Sequence, residues 1–151
     1  MENILSALNE KFSAQILSTE MLYDFPVITV KKEWIVEIIQ HLHNHPDTKF
    51  TFLTTLCAIH YPEQKQMAVI YQLHNMVSNQ RVRLKIYLSD FRPVTPTITH
   101  IFAAANWLER ETFDFFGVNF IGHPNLKRIL NVEEMIIFPL RKEYPLEDQT
   151  R

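Results

Sequence analysis

Apolar side chains recur every three or four positions through most of the first 45 residues, the spacing of an amphipathic helix. This period predicts one helix over residues 3–17 and a second over about 31–43, ended by Pro46. Between them, the β-branched run at 26–30 predicts a short strand. The side chains predicted to point inward from the two helices are Ile4, Leu5, Leu8, Phe12, Ile16, Trp34, Ile35, Ile38, Ile39 and Leu42.

From residue 50 the apolar positions recur every second residue, as in strands with one buried face. Segments 50–59, 67–76 and 81–88 are predicted strands, and the polar breaks at 62–64 and 78–80 are typical of turns. In the last strand, Val82, Leu84, Ile86 and Leu88 alternate with Arg81, Arg83, Lys85 and Tyr87. We therefore predict an antiparallel sheet with one packed face and one face that is open to solvent or covered by a partner.

A long helix is predicted to follow the sheet. Pro96 closes the strand region, Thr97 fits a helix N-cap, and Gly117 fits the left-handed residue that ends a helix near Phe116. The apolar stripe of this helix consists of Ile98, Ile101, Phe102, Ala105 and Leu108. The pattern predicts an α+β fold in one domain over residues 1–151, with a small, mainly antiparallel sheet, flanking N-terminal helices, a long C-terminal helix and an irregular tail over about 131–151.

Composition and charge narrow the class of protein. The chain is 46% hydrophobic and 21% charged, and its net charge of −2 offers no basic excess to hold nucleic acid. No apolar run reaches the roughly 18 residues of a membrane span, and the first residues lack a leader pattern, so a cytosol-side location is expected. The single Cys57 excludes an intrachain disulfide and a self-held iron–sulfur cluster, and its apolar neighbours predict a buried thiol.

One candidate metal site lies at the end of the second predicted helix. His41 and His45 are four residues apart and could share a helical face as ligands. The alternative is a polar helix C-terminus, where the helix dipole favours histidine. The second interpretation is preferred, and no metal site is predicted.

A candidate catalytic site is the acidic trio of Glu109, Glu111 and Asp114. Paired carboxylates can perform acid–base chemistry when their environments separate their pKa values. The helix period, however, points close neighbours in different directions, and Arg110 can pair with Asp114 one turn away. A structural set of ion pairs is therefore preferred to a catalytic pair.

A candidate anion site surrounds His123. Pro124 fits the first position of a helix whose N-terminus could accept an anion. The chain has only two glycines, so it can build neither a phosphate-binding loop nor a dinucleotide fingerprint. The basic pair of Lys127 and Arg128 therefore fits protein carboxylates better than a nucleotide.

The segment 109–130 thus combines charges, aromatic rings and both glycines, but no cofactor cradle, metal set or nucleophile–base pair. Segments of this kind commonly pack against another subunit. Arg110, Arg128 and Arg141 are expected to face a partner there. Arg128→Ala is accordingly expected to leave the domain folded and to weaken its assembly with that partner.

The same region resembles the signature of one family. The matching runs are Asn106-Trp107-Leu108-Glu109-Arg110-Glu111, Asp114-Phe115-Phe116-Gly117, Gly122-His123-Pro124 with Leu126, Arg128, Ile129 and Leu130, and Pro139-Leu140-Arg141-Lys142-Glu143-Tyr144-Pro145-Leu146. Further upstream, Leu53-Thr54 and Tyr61-Pro62 fit a looser pattern in the strands. These runs resemble the 30 kDa subunit, or C-type subunit, of the proton-pumping NADH:quinone oxidoreductase (respiratory complex I), over roughly residues 30–147. The chain departs from the family pattern at Thr55, His60, Val132, Glu134-Met135 and Ile137-Phe138.

The resemblance implies a non-catalytic structural subunit of the peripheral arm, which supports electron transfer from NADH to quinone. It implies that this chain binds no cofactor, although the whole complex uses FMN, iron–sulfur clusters, NADH and quinone. The implied partners are the large D-type subunit and the cluster-bearing subunits, on the cytoplasmic side of the cell membrane, which the chain meets only indirectly. The residues expected to form the partner interface or the structural signature are Trp107, Glu109, Arg110, Glu111, Asp114, Gly117, Gly122, His123, Pro124, Arg128, Arg141, Lys142 and Tyr144.

Two alternatives stay open at this point. The equivalent subunit of a membrane-bound hydrogenase, or of a ferredoxin- or F420H2-dependent dehydrogenase, would carry the same signature because the electron donor binds elsewhere. A self-sufficient hydrolase that uses Glu109, Glu111 or His123 belongs to a different class.

Overall fold

The structure is a computed structural model and describes residues 2–144 of the chain. Its elements are, in chain order, α1 (Glu2–Phe12), β1 (Ile16–Leu22), β2 (Phe25–Val30), α2 (Ile35–Asn44), β3 (Phe52–Tyr61), β4 (Gln66–Asn75), β5 (Gln80–Ser89), β6 (Val94–Pro96), α3 (Ala105–Phe116) and β7 (Asn119–Ile121). Short 3-10 helices at Ser13–Gln15 and Lys32–Trp34 lead into β1 and α2.

Five strands form the main sheet in the order β1-β2-β5-β4-β3. The hairpins β1–β2, β3–β4 and β4–β5 are antiparallel, and only the β2–β5 pair is parallel, because α2 and two strands separate its members along the chain. The turns fall at the predicted polar breaks. The predicted α+β class and the mainly antiparallel sheet are confirmed.

The two faces of the sheet have different neighbours. The inner face packs against α1, α2 and the segment around α3, and its strand residues include Leu56, Val69, Tyr71, Leu84 and Ile86. The pairing register places the alternate residues on the opposite face, which we call the outer face; it carries Cys57, Ile59, Tyr61, Ala68, Ile70, Gln72, Arg81, Arg83, Lys85 and Tyr87. The predicted division into a packed and an unpacked face is therefore confirmed.

The prediction was wrong at the first helix. The helix ends at Phe12 instead of residue 17, and the chain then forms β1, which pairs with β2 from Ile16↔Val30 to Leu22↔Phe25. From Leu17 onward every β1 residue is exposed, so the strand lacks the alternation of apolar and polar positions that reveals a half-buried strand. Trp34, predicted to point inward, is 40% exposed.

The third helix begins later than predicted. Residues 94–96 form β6, which pairs with β7, and the N–H of Thr97 continues that pairing by donating to the Ile121 carbonyl at 2.9 Å. Thr97 therefore does not cap a helix, and α3 starts at Ala105. The predicted helix end is confirmed, because Gly117 adopts the left-handed conformation with φ 76° and its N–H donates to the Phe113 carbonyl at 2.8 Å.

The remaining differences concern Cys57 and the tail. Cys57 lies on the outer face and is half-buried, and burial raises the pKa of its thiol. Residues 131–144 contain turns without a helix or strand, and the rest of the predicted tail, residues 145–151, lies outside the described part of the chain. The single-domain boundary 1–151 stays a prediction.

Candidate functional site

The signature residues converge where α3 meets the tail. Asp114, on the last turn of α3, is fully buried. Its carboxylate accepts backbone N–H bonds from Ile129, Leu130 and Asn131 at 3.1, 2.8 and 2.9 Å. Burial opposes the charged form, but these donors and the guanidinium of Arg128 outweigh it and hold the pKa of Asp114 well below its usual range. Asp114 therefore stays ionised and fixes the loop at 129–131.

Arg128 is the second part of this junction. One guanidinium nitrogen, Nη1, donates to the side chain and to the carbonyl of Asp114, both at 2.7 Å. The other, Nη2, donates to the carbonyls of Met135 and Ile137 at 2.6 and 2.8 Å. The Arg128 side chain is only 7% exposed. Its charge is thus satisfied within the chain, and the expectation that it faces a partner stays a prediction.

Arg110 also binds the chain's own backbone. Its Nε donates to the Lys127 carbonyl at 3.1 Å and its Nη2 to the Arg128 carbonyl at 3.0 Å. The expected Arg110–Asp114 ion pair is therefore wrong. The carboxylate of Asp114 accepts hydrogen bonds from the N–H groups of residues 129–131, and the guanidinium of Arg110 donates to the carbonyls of residues 127 and 128. The two side chains therefore bind successive parts of the same stretch of backbone.

The tail caps the C-terminus of α3. The last carbonyls of a helix lack partners within the helix and must find them elsewhere. Here the Asp114 carbonyl accepts a hydrogen bond from the guanidinium of Arg128. The Phe115 carbonyl accepts one from the N–H of Leu140 at 3.2 Å, and the Phe116 carbonyl accepts one from Nε of Arg141 at 2.7 Å. Two cationic groups at this end also suit the negative end of the helix dipole.

The ring of Phe138 completes the junction. The guanidinium groups of Arg128 and Arg141 lie 5.1 and 5.0 Å from its centroid. A Cβ on Gly117 would come within 2.6 Å of this ring, so glycine is required there for close approach as well as for its positive φ. We call the set of Asp114, Gly117, Arg128, Phe138 and Arg141 the clasp. Sequence reasoning missed Phe138, which it treated only as a departure from the family pattern.

Glu109 forms a separate network one turn earlier on α3. Its carboxylate is fully buried and accepts bonds from the Thr97 hydroxyl and from the Ile98 N–H, the latter at 2.8 Å. Burial raises the pKa of Glu109 to about 7, although both hydrogen bonds act in the opposite direction. Glu111 is exposed on another face of the helix. The acidic trio therefore does not converge into a catalytic pair.

His123 anchors the loop before the clasp. Its Nε2 lies 3.0 Å from the Asn106 carbonyl, and its Nδ1 accepts the N–H of Asn125 at 3.0 Å. Gly122 has a positive φ of 82° in the preceding turn. The segment is a turn and not a helix, so the candidate anion site at the N-terminus of a helix starting at Pro124 does not form.

The end of the tail is tied to the sheet. The N–H of Lys142 donates to Nδ1 of His60 at 3.1 Å, and His60 is buried beside Asp90. Nη1 of Arg141 and Oε1 of Glu143 lie 3.9 Å apart, and the N–H of Tyr144 donates to the Arg141 carbonyl at 3.0 Å. A polar His60 within an apolar strand was the one sequence signal for this attachment.

The outward side of this region carries exposed apolar side chains, beside the exposed carboxylates of Glu133 and Glu134. Four apolar side chains of the loop and tail are exposed, and we call them the tail surface: Leu130 (66%), Val132 (64%), Ile136 (92%) and Leu140 (43%). Trp107 on α3 is 56% exposed. Several charged residues of the signature are thus bound inside the chain, whereas apolar residues of the loop and tail face outward.

The histidines of α2 have structural contacts. His41 lies with Nε2 2.9 Å from the Ala7 carbonyl of α1, and Nδ1 of His45 accepts the N–H of Asp47 at 3.3 Å. Within residues 2–144, no three His, Cys, Asp or Glu side chains are grouped as metal ligands. In the same part of the chain, no helix has the length and apolar character required to cross a bilayer.

Comparisons with known proteins give the same family as the signature. The family model of the respiratory-chain NADH dehydrogenase 30 kDa subunit matches residues 28–150. The chain is 38% identical to C-subunit 2 of the NADH-quinone oxidoreductase of Rhizobium etli, over 91% of its own length and 73% of the relative's. It is 36% identical to the C-subunit of the Geobacter metallireducens enzyme over 95% and 89% of the two lengths.

Solved structures agree with the fold. A trypsin-resistant fragment (1–134) of Nqo5 matches with a TM-score of 0.69 and 25% identity, over 83% of this chain and 98% of that fragment. A chain of the membrane-bound sulfane sulfur reductase, an archaeal respiratory membrane complex, shares the fold with a TM-score of 0.81 and 21% identity, over 96% and 85% of the two chains. The relatives are subunits of a multi-subunit, membrane-associated enzyme complex. Because the match extends across the sheet, α3 and the clasp, this chain belongs to the family of the 30 kDa subunit of respiratory-chain NADH dehydrogenase.

Proposed function

We propose that this chain is a structural subunit of the peripheral arm of a proton-translocating NADH:quinone oxidoreductase and contributes no catalytic group or cofactor to it. Electron transfer from NADH to quinone would then proceed through FMN and iron–sulfur clusters held by other subunits. The complex would hold the chain at the cytoplasmic side of the cell membrane. The relatives' names support this complex, and the site geometry supports the structural role.

The observation that carries the proposal is the construction of the clasp. Asp114 and Arg128 are the strongest charged pair of the site, and both are satisfied by groups of the same chain. A catalytic acid or base must instead reach a substrate. The clasp holds an irregular tail in one conformation, and it leaves Leu130, Val132 and Ile136 exposed on that tail.

The tail surface fits a protein partner. Large exposed apolar patches mark interaction sites on proteins, and the tail surface groups four exposed apolar side chains on one loop and tail. Within the complex, we assign this surface to the large D-type subunit, the neighbour that the family signature implies. The clasp would therefore act by pre-ordering the surface, which lowers the entropic cost of association.

The test uses the tagged full chain, expressed in place of the native subunit, and the complex purified from solubilised membranes. Ile136→Asp should reduce the recovered complex about tenfold or more, because a charge would be buried at the interface. Val77→Asp is the matched control, since Val77 is 98% exposed in the β4–β5 turn. NADH–quinone turnover per recovered complex should stay at the wild-type value. Normal recovery with lost turnover would contradict the structural role.

A second candidate is the equivalent subunit of a related respiratory membrane complex with another electron donor. The fold shared with the archaeal sulfane sulfur reductase chain favours it, because the same architecture serves a complex of a different name. The donor that reduces the purified complex distinguishes the two. Oxidation of NADH supports the first proposal, and activity only with hydrogen, reduced ferredoxin or F420H2 supports the second.

A further inference from the structure

Three buried apolar residues of the sheet lie outside the hydrophobic core. Val27, Ala68 and Ile70 are 5%, 0% and 8% exposed, yet they are absent from the cluster that packs against the helices. The register explains this, because Ile70 pairs with Cys57 and with Lys85, which places it on the outer face. Something other than a helix must therefore shield these residues from water.

Long polar side chains on β5 provide this cover. The guanidinium of Arg83 lies 4.9 Å from the centroid of the Phe25 ring, and its Nε donates to Oε1 of Gln72 at 3.0 Å. The ammonium of Lys85 lies 4.7 Å from the Tyr87 ring and 5.5 Å from the Tyr61 ring. Arg83 pairs with Val27 and Lys85 with Ile70, so both side chains start beside the buried residues, and their charged ends lie against aromatic rings.

The charges of these side chains lack acidic partners. The ion pairs among the described residues are Asp114–Arg128, Glu143–Arg141 and Asp90–His60, and none involves the outer face. The outer face carries Arg81, Arg83 and Lys85. The carboxylates near it are Glu20 on the edge strand β1, opposite Val27, Asp24, which lines one cavity with Arg81, and Glu111, whose charge acts on Cys57, and none of them forms an ion pair with these cations. Arg83 and Lys85 therefore have no carboxylate of the described residues within ion-pair distance.

We propose that the outer face is a second docking surface, which binds an acidic surface of another subunit of the same complex. The inference rests on the proposed function, since it takes the partner from that complex. Arginine and tyrosine are enriched at the energetic centres of protein interfaces, and here they are already ordered by cation–π contacts. A partner carboxylate would replace the water around the exposed sides of the Arg83 and Lys85 charges and complete an ion pair in a partly dry surface.

The first arm of the test identifies the occupant. A photo-crosslinking amino acid replaces Tyr87, which is 38% exposed, in the tagged full chain, and the complex is irradiated in membranes. The expected product is a cross-link to an Asp- or Glu-rich segment of one other subunit. A cross-link to nucleic acid or to a second copy of this chain, or no cross-link, overturns the proposal.

The second arm tests the charge. The double variant Arg83→Glu with Lys85→Glu should reduce recovery of the complex about tenfold or more, because like charges would face each other. The matched control is Lys31→Glu with Lys32→Glu, two exposed lysines before α2, which should leave recovery unchanged. Lys85→Arg keeps the cation and should also recover the complex normally. If the double variant and its control give equal recovery, the proposal is overturned.

The wild-type chain separates this proposal from the proposed function. If the tagged wild type purifies with the complex but position 87 gives no cross-link to another subunit, only the second docking surface fails. If the wild type does not purify with the complex at all, both fail. A thermal melt of each purified variant checks folding, and the cross-link at position 87 decides the matter where a charge variant does not fold.

Discussion

Arg128 in the clasp and Arg83 on the outer face are both partly buried arginines that lie against an aromatic ring. Arg128 donates to Asp114 and to two tail carbonyls, whereas the one hydrogen bond of the Arg83 side chain within the described residues goes to the neutral Gln72. The first charge is satisfied by the fold and the second lacks a carboxylate. The exposed fraction of an arginine side chain therefore does not show whether it is structural or free to bind a partner. The hydrogen-bond acceptors that its guanidinium already has within the chain do show this.

The largest expected effect of breaking the clasp comes from Asp114→Ala. It would remove the counter-charge of the buried Arg128 guanidinium and the acceptor of three backbone N–H groups. We expect the free energy of unfolding in urea to fall by about 3–5 kcal/mol. Glu111→Ala, which removes an exposed carboxylate on the same helix, should change it by less than about 0.5 kcal/mol. Equal effects of the two variants would mean that Asp114 is not the centre of the clasp.

The pH dependence of stability should report Glu109. Its pKa is about 7 in the folded chain against 4.5 for a free carboxyl, so folding favours the protonated form. The stabilisation that the protonated carboxyl of Glu109 gives to the folded chain is complete below about pH 4.5. As the pH rises from there through about 7, the free energy of unfolding falls by roughly 3 kcal/mol because this stabilisation is lost. Asp114, with a lowered pKa, acts in the opposite direction and only below about pH 4. The difference in unfolding free energy between wild type and Glu109→Gln should therefore change between pH 4.5 and 7, and a constant difference would refute this.

A comparison of the two glycines isolates the contact with Phe138. Both have positive φ, so alanine is strained at either position. At Gly117 the new Cβ would meet the Phe138 ring at 2.6 Å, whereas at Gly122 the nearest atom is the Thr97 methyl at 3.4 Å. Gly117→Ala should therefore lower the unfolding free energy by about 1–3 kcal/mol more than Gly122→Ala. Adding Phe138→Leu should reduce that difference, and a difference near zero would show that the ring moves aside freely.

The smallest expected effect lies on the outer face. Lys85→Ala removes cation–π contacts of a partly buried side chain and leaves no buried acceptor unpaired among the described residues. We expect a loss of about 1 kcal/mol or less in the unfolding free energy of the isolated chain. A loss as large as that of Asp114→Ala would show that Lys85 is a structural residue like those of the clasp.

Periodicity predicted the parts of the fold in which one face is buried and the other is not. The strand at 81–88 belongs to this class and is confirmed, as is the helix end that Gly117 indicated. β1 was missed because both of its faces are exposed, and β6 because Thr97 continues a strand pair that only the distant β7 can supply. Local sequence does not contain such partners.

The site was predicted as a set of residues but not as a set of contacts. Helix spacing predicted an Arg110–Asp114 pair, whereas Asp114 binds Arg128 and the loop that follows it. Which cation pairs with Asp114 depends on how the loop at 127–131 packs against α3, and the i, i+4 rule describes only neighbours on one helix. Phe138 could not be identified as the counterpart of Gly117, since their contact requires the folded tail.

The central claim is that the charged residues of the clasp hold this chain together. The most direct test is the free energy of unfolding of Arg128→Ala in the isolated chain, measured in urea beside Lys127→Ala, which removes a neighbouring exposed cation. We predict a loss of about 3 kcal/mol or more for Arg128→Ala, because the buried Asp114 carboxylate loses its counter-charge, and almost no change for the control. Unchanged stability with poor recovery of the complex would place Arg128 at a partner interface and contradict the account.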